Sequence, residues 1–147
     1  MPELSLRERA LGLLSRREHS RLELKRKLAP HAEDEAELET LLDDFEKRGW
    51  LSEQRFVEQV VHAHGGRYGS RYIVHELRQK GVAEALIEQA LPRLRESELE
   101  TARAVWTKKF GRQPEDVKER ARQTRFLQSR GFGLEIIGIL LRGGDCW

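Results

Sequence analysis

Among the five histidines, His62 and His64 form the closest pair. Two residues apart on a helix they point about 200° from each other, whereas helical metal pairs use the i, i+4 spacing that puts both imidazoles on one face. No metal is therefore expected there. Asp43 and Asp44 stand side by side next to Glu46; adjacent helical positions do not face one another, so the trio reads as a solvated face and not as a general acid/base pair. Gly65-Gly66-Arg67-Tyr68-Gly69-Ser70 has the glycines of a phosphate loop, but neither a preceding strand nor the Gly-Lys-Ser/Thr end, and reads as a helix break. Cys146 has no basic neighbour in sequence to activate its thiol. With no convergent nucleophile, acid, base or ligand set, the expectation is a protein that is not an enzyme and needs no cofactor.

The basic residues carry more information. Arg67, Arg71, His75 and Arg78 follow i, i+4, i+8, i+11 spacing, a cationic stripe opposite Ile73 and Leu77 if the helix begins early enough. Arg17, Arg21 and Lys25 repeat the step of four, as do Lys118, Arg122 and Arg125, with Arg120 and Arg130 nearby. One such stripe is what any solvated helix carries, often paired with glutamates. Three of them, alternating with acidic blocks, point to a surface for phosphates or for an acidic protein face. The candidate contact residues are Arg17, Arg21, Lys25, Arg67, Arg71, Arg78, Lys80, Lys118, Arg122, Arg125 and Arg130. Tyr68 and Tyr72, interleaved with the arginines, either stack on bases or pack in the core.

The elements that position these residues are all helical. Apolar residues recur at helical spacing and strict alternation is missing, so an all-α fold is expected. Leu6, Ala10, Leu13 and Leu14 line a first helix with Ser5 as cap; a short second helix after Ser20 runs to Pro30; Leu38, Leu41, Leu42 and Phe45 line a third that ends at Gly49. The pattern restarts at Ser52 with Phe56, Val57, Val60 and Val61, then Ile73 and Leu77 up to Gly81, then Leu86 to Leu91 before Pro92. A third round has Leu99 to Phe110, a helix from about Pro114 to Arg130, and Leu134 to Leu141. Glu76 to Val82 aligns with Phe126 to Phe132 at an offset of 50, and Glu23 to Leu28 with the same element at 53. Such periods signal stacked helical units. Three tandem three-helix repeats are expected, at 1–50, 51–95 and 96–147 with a short C-terminal tail, in an elongated and curved array with hinges near 49–52 and 92–97.

Composition agrees. In 147 residues, 35% are charged and 38% hydrophobic with 4 prolines, too apolar for disorder and too polar for one large core. Lys+Arg minus Asp+Glu runs +4, −7, +3, −3 and +5 over residues 1–30, 31–64, 65–82, 83–100 and 101–147. A single cysteine permits no internal disulfide, no apolar run approaches roughly 18 residues, and the Met-Pro-Glu-Leu-Ser start lacks a signal-peptide pattern. The expectation is a soluble, cytoplasmic monomer with no membrane contact.

Gly49-Trp50-Leu51 followed by Arg55-Phe56, then Arg71 with Glu76-Leu77, Lys80-Gly81-Val82, and finally Leu127 with Arg130-Gly131-Phe132 together resemble the RecX family of bacterial recombination regulators, over about Ala10 to Leu141. Members of that family commonly have acidic residues after the Gly-aromatic-Leu element, where Ser52-Glu53 stand here. The resemblance implies tandem three-helix repeats that bind the groove of the RecA–single-stranded-DNA filament, inhibition of the ATPase, recombinase and coprotease activities of RecA, a role in the SOS response, and some weak direct DNA binding. Two other readings of the residues stay open: a general DNA- or RNA-binding helical module, and a protein-only adaptor that docks through the acidic helix from Glu33 to Glu46.

Overall fold

A computed structural model describes residues 3–141. Within them the chain forms nine α-helices and no strand: α1 (Leu6–Arg16), α2 (Arg21–Leu28) with a 3-10 turn (Ala29–His31), α3 (Glu35–Lys47), α4 (Glu53–His64), α5 (Ser70–Gln79), α6 (Glu84–Glu96), α7 (Glu98–Lys109), α8 (Val117–Ser129) and α9 (Leu134–Leu141). Their starts are written in short polar residues. Ser5 Oγ accepts from the Glu8 amide at 3.1 Å while the Ser5 amide donates back to Glu8, a reciprocal cap that satisfies two otherwise orphaned donors. Ser20, Asp34, Ser52 and Asp116 accept in the same way from the third residue onward.

Three glycines end helices alike. Gly49, Gly81 and Gly131 have φ of +76°, +75° and +89°, the left-handed conformation that glycine adopts without a Cβ penalty. After Gly81 and Gly131 the next amide, of Val82 or Phe132, reaches back to the carbonyl of Leu77 or Leu127. The offset of 50 thus superimposes the same helix exit on itself. It carries Leu86 and Ile87 of α6 onto Ile136 and Ile137 of α9.

Three apolar clusters result, and each is small. The first joins Ala10, Leu24, Leu28, Leu38, Leu41, Leu42, Phe45 and Leu51. The second is built on Phe56, Ile73, Leu77, Ile87 and their neighbours, and the third on Ala102, Leu127, Phe132, Ile137, Leu140 and Leu141. Each fully buried Leu or Phe contributes about 1.5–3 kcal/mol, so units of this size lean on their neighbours. Leu51, at the head of the second unit in sequence, packs into the first core.

The two joints between units differ in chemistry. Side chains make the first: the Glu18 amide donates to Gln59 (2.7 Å), the Arg21 amide to Glu53 (2.6 Å), and Arg55 pairs with Glu18 (2.9 Å). Backbone makes the second: the Gly69 amide donates to the Arg130 carbonyl (2.7 Å) and the Arg71 amide to the Gly131 carbonyl (3.1 Å). Helix α5 has no side-chain cap. The amides of its N-cap Gly69 and of Arg71 are met by the carbonyls of Arg130 and Gly131, in the turn that follows α8, which also brings the positive end of one helix to the negative end of the other.

Several local expectations need correction. Pro92 does not end its helix; α6 continues to Glu96. Pro92 and Glu88 are both exposed, so the helical bond that a proline cannot donate is lost on the solvent side, where the cost is tolerable. Only Ser97 separates α6 from α7, a single-residue link where the sequence suggested a hinge. The long helix of the third unit starts at Val117, three residues after Pro114. Cys146 and the Gly143-Gly144 tail to Trp147 lie outside the described residues.

Candidate partner-binding surface

The first basic stripe faces inward, toward α3. Arg21 pairs with Glu39, Asp43 and Glu46 at 2.6, 2.8 and 2.7 Å, and Lys25 with Glu39 and Glu35 at 2.6 and 3.2 Å. The consecutive blocks of +4 and −7 are thus folded onto each other as a zipper between α2 and α3. Arg17 lies outside α2, at the C-cap of α1, and grips the buried carboxylate of Glu23 with both terminal nitrogens. Lys80 of the second unit comes to the same carboxylate at 3.4 Å. Burial pushes the Glu23 carboxyl up, but the hydrogen bonds and charge of Arg17, with the charge of Lys80, outweigh it and hold it at about 2.

The second stripe is divided. Arg67 precedes α5 and donates to the Ala63 carbonyl at 2.6 Å. Arg71, His75 and Arg78 sit on α5 and share one side of a groove of about 800 Å³ between the second and third units. Arg95 and Leu91 of α6, Glu98 of α7, and Gly133, Glu135 and Ile136 at the start of α9 complete its walls. Arg78 pairs with Glu84 at 2.7 Å. Arg71 and Arg95 have no ion-pair partner among the described residues, and both are exposed.

On α8, Arg122 pairs with Glu119 at 3.0 Å and lies over the Phe110 ring, in a separate recess with Lys109 and Arg112. Lys118 and Arg125 are exposed on the same helix and outside the groove. Arg130 lies over the rings of Tyr68 (5.5 Å) and Phe126 (5.1 Å) at the second joint. Tyr68 and Tyr72 stack on each other with centroids 3.9 Å apart and 14° between planes, and His64 meets both edge-on. Tyr68 thus packs against the second core, as one of the two readings had it, while Tyr72 stacks on it beside the joint and stays partly exposed.

Of the eleven sequence candidates, Arg71 and Arg78 share the groove, while Arg17, Arg21, Lys25, Lys80, Arg122 and Arg78 itself are engaged by carboxylates of the fold. Arg95 was not among the candidates. Its signal is the i, i+4 spacing from Leu91, which counts only if the helix continues through Pro92.

Comparison with known proteins adds the following. Residues 52–91 match the family model "RecX, second three-helix domain" and residues 96–141 match "RecX, third three-helix domain". A "Regulatory protein RecX" from Leptothrix cholodnii is 51% identical over 98% of this chain and 92% of its own length. One from Ralstonia nicotianae is 48% identical over 97% and 89%. The crystal structure of RecX from Lactobacillus salivarius superposes with a TM-score of 0.79 at 18% identity, covering 93% of this chain and 92% of that one. No helix among the described residues is long and apolar enough to cross a membrane.

Proposed function

The chain belongs to the RecX family of regulatory proteins, and on that premise we propose that it binds the RecA–single-stranded-DNA filament and restrains the ATPase, recombinase and coprotease activities of RecA. It does so as a cytoplasmic monomer of three units, 1–50, 51–95 and 96–147, without catalytic machinery or cofactor of its own. The observation that supports this reading is the groove between the second and third units. There Arg71 of α5 and Arg95 of α6, without ion-pair partners among the described residues, line the groove together with His75 and Arg78. Forked guanidinium groups suit both phosphates and acidic protein faces, and a nucleoprotein filament offers both. Exposed Lys118 and Arg125 on α8 extend the cationic surface and give weak direct affinity for DNA. Occupying the filament groove with a body that touches neighbouring protomers favours one protomer arrangement and so opposes cycling.

The test is single-stranded-DNA-dependent ATP hydrolysis by the cognate RecA with substoichiometric amounts of this chain. Hydrolysis should fall; no effect at any ratio would overturn the proposal. Reversing both free charges, Arg71→Glu with Arg95→Glu, should raise the half-inhibitory concentration about tenfold or more, since charge-assisted contacts contribute roughly 1.5–3 kcal/mol each. If inhibition survives that reversal, docking runs through the acidic α3 face instead. Binding to naked DNA or RNA as tight as to the filament, and steeply salt-dependent, would point to a general nucleic-acid module.

A further inference from the structure

Helix α1 carries a glycine with no task inside this chain. Gly12 stands in the helix, and a Cβ built on it meets nothing within 4 Å. Glycine at a helix interior is unfavourable relative to alanine, and here neither a turn nor a neighbouring backbone requires it. Gly12 lies in a groove of about 350 Å³ whose apolar surface is Leu4, Leu13 and Leu28. Leu4 is 55% exposed. Arg9, Arg16, Lys27 and His31 stand around it, and Glu8 is the one acid. That carboxylate is committed to the Ser5 amide. Arg9 and Arg16 have no ion-pair partner among the described residues, unlike Arg21 and Lys25 across the same unit.

We propose that this groove on the first unit is a docking site for an acidic segment of a partner protein, which places an apolar side chain over Gly12 and carboxylates against Arg9 and Arg16. The chemistry selects this occupant. An aliphatic floor gains from an apolar side chain, and the cationic rim is complementary to flanking carboxylates. A nucleic-acid strand would satisfy the rim but leave the leucines wet, and the groove has no Phe, Tyr or Trp on which bases would stack. The site lies on another unit from the groove of Arg71 and Arg95, and the inference stands independently of that reading.

The test uses fluorescence anisotropy with the full chain and three labelled probes. One is a peptide with a single leucine flanked on each side by three aspartates, one is its all-aspartate counterpart, and one is a single-stranded oligonucleotide of equal charge. The leucine peptide should bind saturably and at least about tenfold more tightly than the all-aspartate peptide. Gly12→Leu fills the groove with its own side chain, and Arg16→Glu reverses the rim; each should weaken the leucine peptide about tenfold, with the helical circular dichroism unchanged. Gly12→Ala, with room for its methyl, is the control that reports folding. Absence of saturable binding, binding unaffected by Gly12→Leu, or an oligonucleotide that loses its affinity on Arg16→Glu in place of the peptide would each overturn the proposal.

Discussion

Gly131→Ala should destabilise the protein by about 3–5 kcal/mol, seen as a lower urea midpoint and earlier proteolysis of the third unit. Two costs combine. Gly131 has φ of +89°, where an L side chain costs roughly 1–2 kcal/mol. A Cβ there would also lie 2.4 Å from Tyr72 Cβ and 2.5 Å from its amide nitrogen, so the two backbones must part. That movement breaks the bonds from Gly69 to the Arg130 carbonyl and from Arg71 to the Gly131 carbonyl, each contributing about 1 kcal/mol. Gly49→Ala separates the effects. Its φ is +76° but nothing lies within 4 Å of the added methyl, so it should lose only the conformational part.

Glu23→Gln should cost about 3 kcal/mol near neutral pH, and the difference from the unaltered protein should vanish by about pH 2. The Glu23 carboxyl is depressed from its ordinary 4.5 to about 2, so the native state binds its proton less readily than the unfolded chain. Its contribution is present in full above pH 4.5 and is lost as the pH falls from there toward 2. A depression of this size corresponds to about 3 kcal/mol. The side chain is only 6% exposed, so solvent screens the pair little. Urea titrations of both proteins across that pH range give the measurement; parallel curves over the whole range would show that Glu23 is not the group responsible.

Both predictions rest on contacts between residues that the sequence does not show together, Gly131 against Tyr72 across the second joint and Arg17 with Lys80 around Glu23, and these are what a sequence reveals least. Helix caps and stops are local, and Ser5, Ser20, Ser52 and Gly49 announced them because capping is chemistry within a few residues. The offsets of 50 and 53 announced the repeat because each unit reuses one helix exit. Partners distant along the chain were hidden. Spacing put Arg17, Arg21 and Lys25 in a stripe but could not show that α3 would fold its carboxylates onto two of them, or that Arg17 would turn back onto Glu23. Pro92 misled because a proline on an exposed helix face interrupts less than one on a buried face. Arg95 was lost with it, and half of the free charge in the groove went unseen. Family membership was legible from motifs spread along the chain, since those motifs are the glycine exits and the aromatic and leucine residues packed behind them.

The unlike joints have a mechanical consequence. The seam between the second and third units is a pair of backbone bonds closed over glycines, with Tyr72 and the ring of Phe132 packed directly against those glycines, so that backbone meets backbone with little play. The seam before it is spanned by Arg, Lys, Glu and Gln side chains, each with several torsions that let the ends shift without breaking the pair. Thermal displacement should therefore concentrate at the first seam, so that residues 3–49 swing as a lever against an anchor formed by the other two units.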